Sequence, residues 1–276
     1  MFEIAEYTVL AEQINEVLRG KTIRTGNLGN SPHKFVWHNC ENDEFAARIA
    51  RKVVGEIFVR GRWMFIPLEP GEVLLLGECG GKLLFHEPGS KLPAKYHLYI
   101  EFEDSSFLTE TTQMWGAMEL YEGDAVWERE YVKDMRPTPL DEAFSFEYFN
   151  QLIDDITSEK KYSAKALSTQ EQLIPGLGNA CAQDILFNAK LHPKHDIAEL
   201  ELDERKRLYD AIIDTVQAII AGGGRNDEFD LFGERGKYIR KMDKSAAGHP
   251  CPRCGTIVQK ISYLGGACYF CPSCQL

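Results

Sequence analysis

Long apolar runs are missing from this chain of 276 residues. A membrane-spanning helix needs ~20 apolar residues in a row, and stretches such as "VLLLG" (Val73 to Gly77) are only core-sized. The start also lacks the basic segment ahead of an apolar one that marks a secretory signal, so a cytoplasmic protein is expected. Positive charge is in deficit. Lys and Arg total 31 against 42 Asp and Glu, a net charge of −11. That balance disfavours indiscriminate binding to polyanions, although a local basic face remains compatible with nucleic acid. Cysteine is scarce over most of the length. Only Cys40, Cys79 and Cys181 precede the last 26 residues, where Cys251, Cys254, Cys268, Cys271 and Cys274 crowd together. A secreted disulfide framework would spread its cysteines; reduced thiols and one metal site fit better.

What is present falls into blocks. Residues 7–19, "YTVLAEQINEVLR", put Val9, Leu10, Ile14, Val17 and Leu18 on one helical face, and Gly20 stops the helix. From there to about 122, short apolar runs alternate with Gly, Pro, Asp and Ser, which reads as an antiparallel β-sandwich or barrel. The long helical crossovers of a parallel sheet are absent. "VKDMRPTPLDEAF" (132–144) has two prolines and no period, as a linker would. Helical patterns follow at 141–156, 163–174, 178–191 and 202–220, then a Gly-rich charged loop at 221–250. Loops of that length in a compact protein are functional or disordered. The fold class is therefore α+β: a β-sandwich with a flanking helix (1–131), a linker (132–145), a helical domain (146–245) and a cysteine hairpin (246–276).

"CPRCGTIVQKISYLGGACYFCPSC" carries C-x2-C, a 16-residue spacer and C-x2-C. Two such pairs offer four thiolates to one tetrahedral zinc ion. Cys251, Cys254, Cys271 and Cys274 are the expected ligands, with Gly265 and Gly266 at the turn of the intervening hairpin and Cys268 left as a free thiol. A four-thiolate site has no open position, so one structural Zn2+ is expected.

In "KALSTQEQLIPGLGNACAQDILFNAKLHP" (165–193), "IPGLGN" separates two helical patterns. Gly176 and Gly178 permit a tight backbone approach, and Asn179 suits a helix amino-terminal cap. Exposed amides at such a start attract phosphate; a plain helix corner is the competing reading.

This stretch, followed by the four-cysteine hairpin, resembles the formamidopyrimidine-DNA glycosylase and endonuclease VIII family. The resemblance is strong from about 160 to 276 and looser from 1 to 122. It implies a β-sandwich domain, a helix–two-turn–helix domain with a zinc finger, and a DNA duplex between them. It also implies eversion of the damaged nucleotide. The family normally begins Met-Pro-Glu-Leu-Pro-Glu; the proline nitrogen, exposed once methionine is removed, attacks the sugar to give a Schiff base. The following glutamate is its acid–base partner. On this resemblance Glu3 matches the catalytic glutamate and Glu6 the second acid. Lys165 matches a lysine near the lesion. Gly178 and Asn179 match a phosphate clamp. The loop from Gly222 to Lys237, with Arg225 and Lys237 as its candidate DNA contacts, matches the segment that closes over the everted base.

Other positions depart from the pattern. Phe2 replaces the catalytic proline and is expected to keep Met1 on the chain. The α-amine of Met1 would then lie up to about 3.6 Å beyond the proline position, and a displacement of 1 Å can lose on the order of a hundredfold in rate. Arg62 stands for the hairpin lysine; an arginine keeps the charge but cannot act as an amine nucleophile. Met114 and Trp115 fall where the family fills the vacated base position, although Trp115 could equally be a sheet core residue. The methionine wedge falls at Glu78, and the finger arginine at Gly266. The expected partner is double-stranded DNA with a damaged base or abasic site, bound by a cytoplasmic, nucleoid-associated monomer. The expected activity is hydrolysis of the N-glycosidic bond through Glu3, with weak strand cleavage at abasic sites. A family member that binds such DNA without chemistry is the alternative.

Overall fold

The short apolar runs form ten strands: β1 (Ile23–Asn27), β2 (Val36–His38), β3 (Val53–Val54), β4 (Phe58–Arg60), β5 (Trp63–Glu69), β6 (Glu72–Gly77), β7 (Gly81–His86), β8 (Leu98–Phe102), β9 (Phe107–Thr112) and β10 (Gly116–Glu122). The computed structural model describes residues 1–276. The strands build two sheets, ordered β1-β8-β9-β7 and β2-β10-β6-β5-β3, with β4 also paired to β5. Pairing is antiparallel except at one place. β2 runs parallel to β10, with Val36 opposite Gly116, which corrects the expectation of a wholly antiparallel sandwich. The short β2 reaches β10 through a long connection rather than a hairpin, so no tight turn dictates its direction.

The chain divides into two compact units, residues 1–135 with 219–238 and residues 136–218 with 239–276. In the first, Met64, Ile66, Leu74 and Leu76 of one sheet and Leu83, Leu98, Ile100 and Leu108 of the other close a single core. Trp63, Phe65 and Leu75 point the opposite way, into a second cluster with Val126 and Val132. β5 and β6 are thus covered on both faces, which is why their sequence is a continuous apolar run instead of an alternation.

Helix α1 (Ile4–Leu18) lays Leu10, Ile14 and Leu18 into the main core. It begins three residues before the expected start at 7, because Glu3 takes an extended conformation at its amino-terminal cap. Gly20 (φ +84) ends the approach, and its amide donates to the Val54 carbonyl at 2.8 Å. Helix α2 (Asn42–Ile49), not expected from the sequence, contributes Phe45 and Ile49 to the same core.

The segment 219–238 was expected with the helical domain and instead clusters with the sandwich. Leu231 is fully buried in the sandwich core. Gln13 of α1 donates to Asp230 (3.0 Å) and accepts from the Leu231 amide (2.9 Å), while the Leu231 carbonyl accepts from Phe85 of β7 (2.9 Å). One apolar side chain in a polar loop is enough to dock it when the flanking backbone groups are satisfied.

The second unit holds α3 (Phe146–Glu159), α4 (Ala164–Thr169), α5 (Asn179–Ala189), α6 (Leu202–Ala221, through Ala218), and the hairpin β11 (Gln259–Tyr263) and β12 (Gly266–Phe270). α3 starts at 146 rather than 141, since the Ser145 hydroxyl accepts from the Tyr148 amide and fixes the cap. α4 stops at Thr169, short of the expected 174, where Glu171 and Gln172 turn to positive φ (52 and 47). Gly178, not Asn179, is the cap of α5. The hairpin turns at Leu264 (φ 49) and Gly265 (φ 71), with Tyr263 opposite Gly266. The reversal therefore sits one residue before the expected Gly265–Gly266 pair, as a two-residue loop with both φ positive.

Candidate functional site

In the first unit, one guanidinium gathers the amino-terminal carboxylates. Arg225 is 1% exposed and Glu3 and Glu6 are each 3% exposed. Arg225 Nε donates to Glu6 Oε1 at 2.7 Å and Nη2 to Glu6 Oε2 at 2.8 Å, a two-pronged pair. The Arg225 amide adds a bond to Glu6 Oε1 at 3.2 Å, and Glu6 Oε2 also accepts from the Glu3 amide at 3.0 Å. Arg225 Nη1 lies 3.6 Å from Glu3 Oε1. Glu6 is thereby spent on holding the backbone of residue 3 and the loop at 225. Glu3 keeps the looser of the two ion pairs.

The terminus itself is held by the same loop. Arg225 Nη2 donates to the Met1 carbonyl at 3.0 Å, and the Met1 ammonium pairs with Glu228 Oε1 at 2.8 Å. Phe2 lies in the core at 1% exposure, edge-on to Tyr7, and its amide donates to the Cys79 carbonyl at 3.0 Å. A Cβ on Gly80 would come within 3.1 Å of Met1 Cα, so glycine there makes room for the first residue. Arg225 was expected as a DNA contact from an exposed loop. The structure buries it instead among carboxylates, because only a cation can neutralise Glu3 and Glu6 once both leave water. Lys237 remains exposed, its backbone amide bonded to the Gly222 carbonyl at 2.8 Å.

Arg62 follows Gly61 in the turn between β4 and β5 and pairs with Glu78 at 3.1 Å. Those two positions, read separately from the sequence as the family's lysine and methionine wedge, are therefore salt-bridged to each other. Met114 and Trp115 are 57% and 41% exposed. Trp115 is no core residue. It stacks on Trp37 (5.2 Å between centroids, 14° between planes) and leans on Phe35 at 4.5 Å.

In the second unit, Lys165, Asn179 and Gly266 meet. Lys165 is buried and donates through Nζ to the Tyr263 carbonyl at 2.6 Å. A Cβ on Gly266 would stand 3.4 Å from both Lys165 Nζ and Asn179 Oδ1. Asn179 is exposed beside the buried Gly178 at the start of α5. This is a helix amino terminus with its amides, an amide side chain and an ammonium in one place. Gln183 secures the hairpin behind it, donating to the Ala267 carbonyl (2.8 Å) and accepting from the Tyr269 amide (2.9 Å).

The sulfur atoms of Cys251, Cys254, Cys271 and Cys274 all lie within 4.8 Å of one another. Cys254 to Cys271 spans 3.4 Å and Cys251 to Cys274 3.9 Å. Four thiolates bonded at about 2.3 Å to one tetrahedral ion would stand about 3.8 Å apart, so the set fits a metal ion with no ligand to spare. Cys268 is buried in β12 and outside the cluster.

Sequence reasoning missed Glu228, Phe35 and Trp37. Nothing local marks Glu228, whose partner is 227 residues away. The stretch "HKFVWH" (His33 to His38) did carry a signal, four ring side chains in six residues.

A β-sandwich with buried carboxylates on its first helix, joined to a helical unit that ends in a four-thiol hairpin, is an architecture of the helix–two-turn–helix class. Residues 1–118 match the model of the formamidopyrimidine-DNA glycosylase N-terminal domain, and residues 135–229 match that of its H2TH domain. The chain belongs to the formamidopyrimidine-DNA glycosylase and endonuclease VIII family. It is 28% identical over 238 residues to the formamidopyrimidine-DNA glycosylase of Desulforamulus reducens, covering 84% of this chain and 83% of that protein. With the Streptococcus pneumoniae protein of the same name it shares 26% over 281 residues, covering 100% and 99%. Lactococcus lactis Fpg, solved in complex with DNA containing an abasic site, has the same fold with a TM-score of 0.85 at 24% identity and 99% coverage of both chains. No helix is long and apolar enough to cross a membrane.

Proposed function

We propose that this chain repairs DNA by recognising a damaged base or abasic site in a duplex and hydrolysing the N-glycosidic bond of the everted damaged nucleotide. The observation that carries the reading is the buried assembly of Glu3, Glu6 and Arg225. Glu6 and Arg225 are positioning residues, and Glu3 is the acid–base group. Its carboxylate takes a proton from water as the water oxygen bonds to the anomeric carbon. The carbon–nitrogen bond breaks, its electron pair leaves with the base, and Glu3 passes the proton on to the departing base and returns to its carboxylate. Met1 offers a primary amine one residue beyond the family's proline, paired as an ammonium with Glu228. Held by Glu228 away from the position of the family's proline nitrogen, it is poorly placed to attack the sugar, which favours weak strand cleavage. Arg62, bound to Glu78, serves as a fixed charge beside the reacting strand.

Gly178, Asn179 and Lys165 hold a backbone phosphate, Met114 and Trp115 occupy the position the base vacates, and Lys237 adds a salt-dependent contact. The four cysteines hold one structural Zn2+, which supplies rigidity to the hairpin and no chemistry. The protein acts as a monomer in the cytoplasm, on the nucleoid.

Borohydride trapping and alkali-developed cleavage on a panel of lesion duplexes test this, with wild type and Glu3→Gln compared. Alkali-dependent cleavage without trapping, lost in Glu3→Gln, is expected. Tight binding of abasic duplex with no cleavage of any lesion would leave the chain a binding protein and sink the enzymatic reading.

A further inference from the structure

Met1 is held at both of its polar ends. Its carbonyl accepts from Arg225 Nη2 at 3.0 Å. Phe2 behind it is buried, and the Phe2 amide donates to the Cys79 carbonyl at 3.0 Å. With its carbonyl and the next residue tied down, Met1 keeps one soft backbone rotation, about its Cα–C bond. That rotation carries the nitrogen around a circle of radius about 1.4 Å, a shift of up to about 2.7 Å. A reacting atom misplaced by about 1 Å loses on the order of a hundredfold in rate. The position of the amine on that circle therefore decides whether it reacts.

Glu228 sets that position. Its Oε1 lies 2.8 Å from the Met1 nitrogen and 3.6 Å from Arg225 Nη2, so the amine is the nearer partner. Its side chain is 13% exposed, and an ion pair partly screened from water is stronger than one on the surface. The loop that carries Glu228 has anchors of its own. Arg225 holds both Glu6 oxygens at 2.7 and 2.8 Å, and Leu231 sits in the core. Loss of the Glu228 carboxylate would thus free the amine without undocking the loop. On the other side of residue 1 stands Gly80, where a Cβ would come 3.1 Å from Met1 Cα, 3.2 Å from its Cβ and 3.6 Å from its nitrogen. The glycine leaves the room in which the amine turns.

We infer that Glu228 is a restraint on the terminal amine. It holds a second, latent nucleophile off the reacting sugar, and release of that one contact lets the amine form a covalent adduct with the aldehyde of an opened abasic sugar. In that step the nitrogen bonds to the aldehyde carbon. Two of the three ammonium hydrogens leave with the carbonyl oxygen as water, and the iminium keeps the positive charge. Glu228 acts through Met1 and is a positioning residue. The abasic sugar as target rests on the function proposed above, while the restraint on the amine does not.

Two assays on the full chain test this with wild type, Glu228→Gln and Glu228→Ala. In the first, a duplex with a preformed abasic site is treated with borohydride, which reduces an iminium to a stable amine. The covalent complex is quantified on a denaturing gel and its site is read by peptide mapping. Glu228→Ala should raise the trapped complex roughly tenfold, with the adduct on Met1. Glu228→Gln, which keeps the shape and loses the charge, should fall between. In the second, formaldehyde and cyanoborohydride label amines with no DNA present. Relative to the exposed Lys237, Met1 should be labelled roughly threefold faster in Glu228→Ala than in wild type. Unchanged or reduced trapping from a bound duplex, unchanged labelling of Met1, or an adduct on a lysine would overturn the inference. A chain that binds no abasic duplex, yet whose Met1 labelling rises in Glu228→Ala, would refute the proposed function and leave the restraint standing.

Discussion

Glu110 shows how far one residue can depart from its ordinary chemistry. It is fully buried in β9, its Oε1 accepts from the Thr112 hydroxyl at 2.8 Å, and its Oε2 has no partner. Burial raises its pKa from 4.5 to about 8. In the unfolded chain the group loses its proton near 4.5; in the fold it keeps it to about 8. The folded state thus binds more protons across that window, and stability falls as pH rises through it. Glu110→Gln removes the ionisable group and should flatten this loss. Urea unfolding should find the variant more stable than wild type by roughly 2–4 kcal/mol at pH 8, with the two converging below pH 4.5. An unchanged pH profile would show that the carboxyl is not neutral in the fold. No sequence signal marks this residue, since "FLTETT" reads as an ordinary strand whose Glu could face water. Only the second sheet and the His97 ring decide that it does not.

At the scale of elements, the docked loop 219–238 is the informative one. Its anchors are Leu231 in the core and Arg225 among three carboxylates, with Glu228 3.6 Å from Arg225 Nη2. Removing one partner of a buried ion pair leaves the others charged and unneutralised. Arg225→Ala should therefore cost about 3–5 kcal/mol, read by chemical denaturation. Arg225→Lys should recover less than half of it, because a lysine cannot span both Glu6 oxygens. Hydrogen exchange should show amides 222–238 losing protection before the strands do. A cost below about 1 kcal/mol would mean that the pair is open to solvent. Helix α1, by contrast, was legible from the spacing of Leu10, Ile14 and Leu18, and the strands from their length and turn residues. The loop was legible only as a loop. Its anchors join residues from distant parts of the chain, and periodicity carries no information over that range.

For the whole molecule, the metal is the sharpest test. The hairpin side of the second unit has a small core, Phe187, Met242, Cys251, Val258 and Cys271, two of which are themselves cluster thiols. So little apolar burial cannot hold a hairpin in place without a cross-link. Removing the ion with a strong chelator under reducing conditions should unfold residues 246–276 and loosen their ties to Gln183 and Lys165. The sandwich, with its separate core, should keep its own thermal transition within about 2 °C. Loss of both transitions together would show that the units do not fold independently. The sequence by itself determined the order of parts and the two C-x2-C pairs that meet in the four-thiol cluster, because each follows from short-range spacing or a contiguous pattern; Glu3, Glu6, Lys165 and Asn179 were singled out through the family resemblance. Tertiary structure alone decided that Arg225 is a buried counter-ion, that Trp115 is exposed and stacked on Trp37, that Met1 is gripped by Glu228, and that Glu110 stays protonated. Each of these depends on what a distant segment brings alongside, and burial and electrostatic pairing are properties of the packed chain.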